Sequence, residues 1–71
     1  MKIGELANLT HTQVETIRYY EREGLLPETA RTGGNYRIYG DAHAARLSFI
    51  RHSRGLDMTL DEIRVLLHFK D

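Results

Sequence analysis

The sequence has no cysteine, so disulfide staples, thiolate metal sites and cysteine nucleophiles are excluded. That absence suits a reducing compartment, and the expected location is the cytoplasm. Long apolar runs are missing too. The longest is Val65-Leu66-Leu67, far short of the about 20 residues that span a bilayer. No stretch has the form of a secretory signal, and no membrane association is expected. Internal repeats and low-complexity segments are absent. Length is also in short supply: 71 residues make one domain at most. A chain this small hides only about 60% of its unfolded surface, too little core to wall a large enclosed substrate pocket.

Net charge is missing as well, because ten basic residues face ten acidic ones. The distribution is uneven. Residues 1–15 carry a net charge of −1, residues 16–54 carry +3 and residues 55–71 carry −2. Arginine outnumbers lysine eight to two, which suits forked contacts to phosphates and base edges. Ion pairs on a solvated surface explain the same residues, and charge alone leaves both readings open.

Apolar spacing predicts a short helix from about Ile3 to Leu9, broken at Thr10 and His11. Thr12-Gln13-Val14-Glu15 has capping-box spacing and predicts the start of a second helix. Val14, Ile17 and Glu21 fall on one stripe of it, with Tyr20 at the edge. This helix should stop near Glu23, with Gly24 in the left-handed position. Leu25 and Leu26 then plug the core, and Pro27 blocks further helix. Gly33-Gly34-Asn35 predicts the tip of a two-stranded hairpin that continues through Tyr36-Arg37-Ile38-Tyr39. Alternation puts either Tyr36 and Ile38 or Arg37 and Tyr39 on the inner face. Ile38 is expected in the core, Arg37 in solvent, and Tyr39 divided between packing and contact. Asp41 is the expected N-cap of a third helix, with Leu47 and Ile50 inside and Gly55 at its end. Thr59-Leu60-Asp61-Glu62 repeats the capping-box pattern. It opens a fourth helix with Leu60, Ile63, Leu66 and Leu67 as its buried stripe.

Two short helices around a brief break suggest a helix-turn-helix, whose second helix enters the major groove. Its outward residues would be Gln13, Glu15, Thr16, Arg18, Tyr19 and Arg22. A solvated face of an all-α domain accounts for them equally well. The hairpin sharpens the case, because Arg31, Asn35, Tyr36, Arg37 and Tyr39 crowd into nine residues. So short a hairpin buries little, and a duplex backbone would give these side chains partners.

Ile17-Arg18-Tyr19-Tyr20-Glu21, Gly24-Leu25-Leu26 and Asn35-Tyr36-Arg37-Ile38-Tyr39 together resemble the DNA-binding domain of the MerR family of transcription regulators. Arg46-Leu47, Phe49-Ile50-Arg51 and Leu56-Asp57-Met58-Thr59-Leu60-Asp61-Glu62-Ile63 continue the likeness over essentially the whole chain. The combination is specific, although no single piece is. The cadmium- or lead-sensing branch looks most similar. The resemblance implies a mostly α winged helix-turn-helix over residues 1–71, with four helices and a two-stranded hairpin wing. A second wing would lie around Arg54 to Met58. It implies double-stranded DNA as partner, contacted by Thr16, Arg18 and Tyr19 from the second helix, by Arg31, Asn35, Tyr36, Arg37 and Tyr39 from the wing, and by Arg54. It further implies a dimer on a promoter with an overlong spacer. Bending and untwisting that spacer would let RNA polymerase engage both promoter elements.

Full regulators of the family continue into a long dimer-forming helix and an effector site, whereas this sequence stops at Asp71. A homodimer is therefore expected only with such a helix supplied. No cofactor and no metal are expected within these residues, since His11, His43, His52 and His68 lack ligand-pair spacing. Val65 and Phe69 lie four apart on a second face of the fourth helix. They point to a docking surface for further protein, the alternative being packing beneath the second wing. An excisionase-like architectural DNA binder and a pure protein-interaction module are the competing functions. An enzyme is not expected: no nucleophile triad or carboxylate pair can be placed in a cleft.

Overall fold

A computed structural model describes the chain over residues 1–31 and 37–70. Helix α1 spans Ile3–Thr10 and α2 spans Val14–Arg22. Strands β1 (Ala30–Arg31) and β2 (Arg37–Ile38) form an antiparallel pair in which Ala30 opposes Ile38 and Arg31 opposes Arg37. Helix α3 spans Asp41–Gly55 and α4 spans Leu60–Lys70. The turn expected at Gly33-Gly34 lies outside the described residues, as do Asn35 and Tyr36 and the Arg31 side chain.

The core has two adjoining parts. Leu6, Ile17, Tyr39 and Leu47 form one, where α1, α2, the root of the wing and α3 meet. Leu25, Ile50, Ile63 and Leu67 form the other, beneath α4. Tyr20 and Leu26 pack against both. The plugging role expected of Leu25 and Leu26 is thus observed, and it joins the two parts into one interior.

The break between α1 and α2 is made by His11, at φ 53° and ψ 39°. Histidine is among the few non-glycine residues that enter this left-handed region readily. Thr10 is buried, yet its hydroxyl is satisfied by donating to the Leu6 carbonyl at 2.8 Å. The capping box expected at Thr12 does not form. The Thr12 hydroxyl donates to the Thr10 carbonyl at 3.1 Å, and α2 begins one residue late, behind Gln13.

The end of α2 matches the expectation. Gly24 takes φ +72°, and the Leu25 N–H closes onto the Tyr20 carbonyl at 2.9 Å. Arginines from two other helices secure this exit. Arg46 donates to the Leu25 carbonyl at 3.0 Å, and Arg64 donates to the Glu23 carbonyl at 3.2 Å. Arg51 reaches the Thr10 carbonyl at 3.4 Å in the same manner. These are cations beside helix C-termini, where unpaired carbonyls concentrate partial negative charge.

Three further expectations need correction. Ile38 is 37% exposed, whereas Tyr39 is 2% exposed. Alternation holds, but Arg37 and Tyr39 form the inner face, because both reach the same carboxylate on α2. Asp41 is the first residue of α3 and not its cap. Gly40 caps the helix, its N–H donating to His43 Nδ1 at 3.1 Å. Leu66 stands 44% exposed, outside the buried stripe. That stripe needs only Leu60, Ile63 and Leu67, while Arg64 turns toward the end of α2.

The α3–α4 turn places Asp57 in the left-handed region at φ 62° and is braced by Arg54 donating to the Met58 carbonyl at 2.8 Å. The capping box at Thr59 forms as expected. The Thr59 N–H meets the Glu62 carboxylate at 2.9 Å, and the Glu62 N–H meets the Thr59 hydroxyl at 3.1 Å. Hydrogen bonds from the Thr59 backbone and hydroxyl hold the Glu62 carboxyl below the ordinary carboxylate range. A lowered carboxyl stabilises the fold above its unfolded value and loses that contribution as pH falls through the folded value. Removing the cap hydroxyl in Thr59→Ala should cost about 1 kcal/mol in a thermal melt at neutral pH. The advantage of the native chain over Glu62→Gln should fade on acidification; an advantage that persists in acid would contradict the cap.

Candidate nucleic-acid interface

The short break at His11 sets α2 across α1 and leaves one side of α2 facing solvent. Ile17 turns inward and is fully buried. Arg18, Tyr19 and Arg22 are exposed on the other side, and Thr16 is half-buried between them. Arg22 lies over the Tyr19 ring, 5.9 Å from its centre. The Arg18 guanidinium has no hydrogen bond or ion pair with any described residue.

The wing is fastened at two places. At its root the Tyr39 N–H donates to the Met1 carbonyl at 2.8 Å, and the Met1 nitrogen donates to the Tyr39 carbonyl at 2.6 Å. At its inner face Glu21, on the last turn of α2, accepts two side chains. One carboxylate oxygen takes the Tyr39 hydroxyl at 2.8 Å, and the other takes the Arg37 guanidinium. The Glu21 side chain is 12% exposed, that of Arg37 45%. Behind this group Tyr39 meets the His43 ring edge-on at 5.2 Å, and His43 Nε2 donates to the Pro27 carbonyl at 3.1 Å. Pro27 and Tyr39 thereby fix both ends of the wing against α3.

Charge shifts follow from this arrangement. A hydrogen bond with Tyr39, together with the Glu21 charge, holds Arg37 above the ordinary guanidinium value. Burial raises the Tyr39 phenol, helped by its bond to Glu21 and the charge there.

Helix and wing enclose an open cleft of about 850 Å³. Lys2, Arg18, Arg22 and Arg37 line it, with Glu21 and Glu28 as the acidic groups. Arg18 and Arg37, from separate stretches of chain, therefore face one side of the molecule. Tyr39 lines the cleft floor with its ring packed inward, so the packing half of its expected role is what the structure shows. Arg54 lies away from this cleft as a brace for the α3–α4 turn, its side chain exposed. Sequence spacing missed the part played by Glu21. The available signal was its position on the inward stripe with Val14 and Ile17, where a carboxylate requires a donor.

A helix-turn-helix whose exposed second helix is flanked by a two-stranded wing defines the winged helix-turn-helix class. Within it, the chain belongs to the MerR HTH family of regulatory proteins, whose family model matches residues 1–70. It is 52% identical over 71 residues to the HTH-type transcriptional regulator ZntR homolog of Haemophilus influenzae, covering 100% of this chain and 53% of that protein. It is 49% identical over 70 residues to the mercuric resistance operon regulatory protein of Bacillus cereus, covering 99% of this chain and 53% of that one. The transcription regulator PbrR691 of Ralstonia metallidurans CH34, solved in complex with lead(II), superposes with a TM-score of 0.95 at 56% identity. That match covers 100% of this chain and 56% of PbrR691. The chain thus spans about half the length of the relatives it matches. Among the described residues, no helix is long and apolar enough to cross a membrane.

A raised phenol favours the folded state below the unfolded phenol value, and that contribution is lost as pH rises through the folded value. An ultraviolet titration should show a tyrosine step above the ordinary phenol range that disappears in Tyr39→Phe. Retention of that step in the variant would remove the Tyr39–Glu21 bond from the account.

Proposed function

We propose that these residues are the DNA-binding part of a metal-responsive transcription regulator. The observation that carries this reading is the cleft in which the partner-free Arg18 and the wing's Arg37 face the same way. A guanidinium is costly to leave without a counter-charge on a crowded cationic face, and a phosphate supplies one. Thr16 and Tyr19 sit beside Arg18, where a helix laid in a major groove would bring them to base edges and sugar. Arg31, Asn35 and Tyr36 would extend the wing's contacts along the backbone. Arg54 would add a contact at the second wing. Tyr39 serves by holding the wing.

The regulatory part of the proposal draws on the relatives, one named for ZntR, one for a mercuric resistance operon, and one solved with lead(II). There is no cysteine, and among the described residues no three His, Cys, Asp or Glu side chains gather around a common point. A response to metal would therefore reach this domain from other parts of a regulator. A cytoplasmic setting agrees with that role. Two such domains held as a homodimer by a further helix would grip a promoter at two half-sites. Bending between them would realign its elements for RNA polymerase, with contact energy set against the cost of deforming DNA. The outer face of α4 supports the dimer reading: Val65 is 55% and Phe69 is 81% exposed, apolar surface that further protein would cover.

The test is fluorescence anisotropy of duplex DNA from upstream of the coding region, with the chain fused to a dimerising coiled coil. Affinity should fall steeply with salt through counterion release. Arg18→Ala and Arg37→Ala should each weaken binding roughly tenfold and lower the salt slope by about one, with helical circular dichroism unchanged. Unaltered affinity in both variants would defeat the assignment.

A further inference from the structure

Glu21 is an anomaly on a surface meant for phosphate. It puts a negative charge inside a cleft lined by Lys2, Arg18, Arg22 and Arg37, and it occupies the Arg37 guanidinium. Electrostatics alone would favour a neutral residue there. Its ion pair with Arg37 adds little stability, because solvent reaches Arg37 and screens the pair. What it does uniquely is geometric. Its two oxygens bind two residues of the wing's inner face, Arg37 and Tyr39, from a helix that carries Arg18 one turn earlier on the same cleft. The strands of the wing are two residues each. So short a ladder cannot fix its own angle to the rest of the molecule.

We propose that Glu21 is a positioning residue for DNA recognition: it sets the angle and distance between the wing and α2, and thereby the selectivity of the chain among duplexes. The proposal rests on the reading of the cleft as the duplex-facing side. With the wing held, Arg18 and Arg37 keep one separation across the cleft, and only sequences whose groove width matches it satisfy both. With the wing freed, Arg37 follows any backbone, and discrimination through shape is lost.

Charge and reach are separable at this position. Glu21→Asp keeps the charge but shortens the side chain by one methylene, so it cannot span to both wing residues. Glu21→Gln keeps the length but loses the charge that holds Arg37. Tyr39→Phe keeps the packed ring and removes one of the two ties. The three variants are compared with the native chain on two probes: the tightest duplex that the chain selects from a random pool, and a scrambled duplex of the same composition. Backbone amide relaxation at Arg37 and Ile38 is measured on the same proteins without DNA.

The positioning role predicts that all three lower the selected-to-scrambled affinity ratio, roughly tenfold for Glu21→Asp, the size of one lost charge-assisted hydrogen bond. Wing amides should become more mobile while the helical signal stays intact. If Glu21→Gln tightens both probes equally and Glu21→Asp matches the native chain, the residue acts through charge alone and the proposal falls. It falls also if the ratio is unchanged while thermal stability drops, since that is a purely structural role. Failure of the native chain to bind either duplex in a salt-dependent way would overturn the DNA-binding reading and this proposal together. Native binding with an unmoved ratio would overturn only the latter.

Discussion

A single carboxylate ties the two halves of the candidate interface together. Glu21 sits where α2 ends, and it accepts hydrogen bonds from two wing residues that alternate onto one face. Without those bonds the wing would keep its root, through the backbone pair between Met1 and Tyr39 and the contacts of Pro27 and Tyr39 with His43, but would lose its tie to α2. The buried ring of Tyr39 makes the connection structural as well as polar. It fills the space among Leu6, Ile17 and Leu47 and delivers its hydroxyl to Glu21. Packing and positioning thus share one residue. A chain with so little interior can place a wing without building a larger sheet.

The arginines divide by what they touch. Arg46, Arg51, Arg54 and Arg64 each donate to a backbone carbonyl near a helix end or turn. They spend their charge on the partial negative ends of helices and act as cross-links between elements distant in sequence. Arg18 has no such partner among the described residues, and Arg37 shares a carboxylate while remaining exposed. An arginine-rich middle segment is therefore not one basic patch. It is a scaffold of carbonyl clamps, in which Arg18 alone of the residues just named is left without a partner among the described residues and Arg37 is shared with Glu21. That division also reconciles a net charge of zero with a cleft lined by four basic and two acidic residues.

Most of the fold was legible in the residues. Gly24 announced the end of α2 because the left-handed position favours glycine, and Thr59 with Glu62 announced α4 through reciprocal capping. Patterns failed where two local solutions were close in energy. Thr12 had the spacing of a cap, but its hydroxyl bonds the Thr10 carbonyl and Gln13 takes the cap position. In the wing, period-two alternation offered two inner faces, and hydrophobicity favoured Ile38. A polar anchor across the molecule decided for Arg37 and Tyr39 instead. Such an anchor is a tertiary contact between residues 16 and 18 positions apart, which no local spacing encodes. Of the candidate site, the exposure of Arg18, Tyr19 and Arg37 was legible, whereas the part played by Glu21 was not.

The central claim is that α2 and the wing present one face to a double helix. Amide chemical-shift mapping during titration with duplex DNA tests it most directly. The account predicts that the largest changes cluster at Thr16, Arg18, Tyr19 and Arg37 and diminish together as salt is added. Changes centred instead on Val65, Leu66 and Phe69, with the α2 and wing amides unmoved, would contradict it.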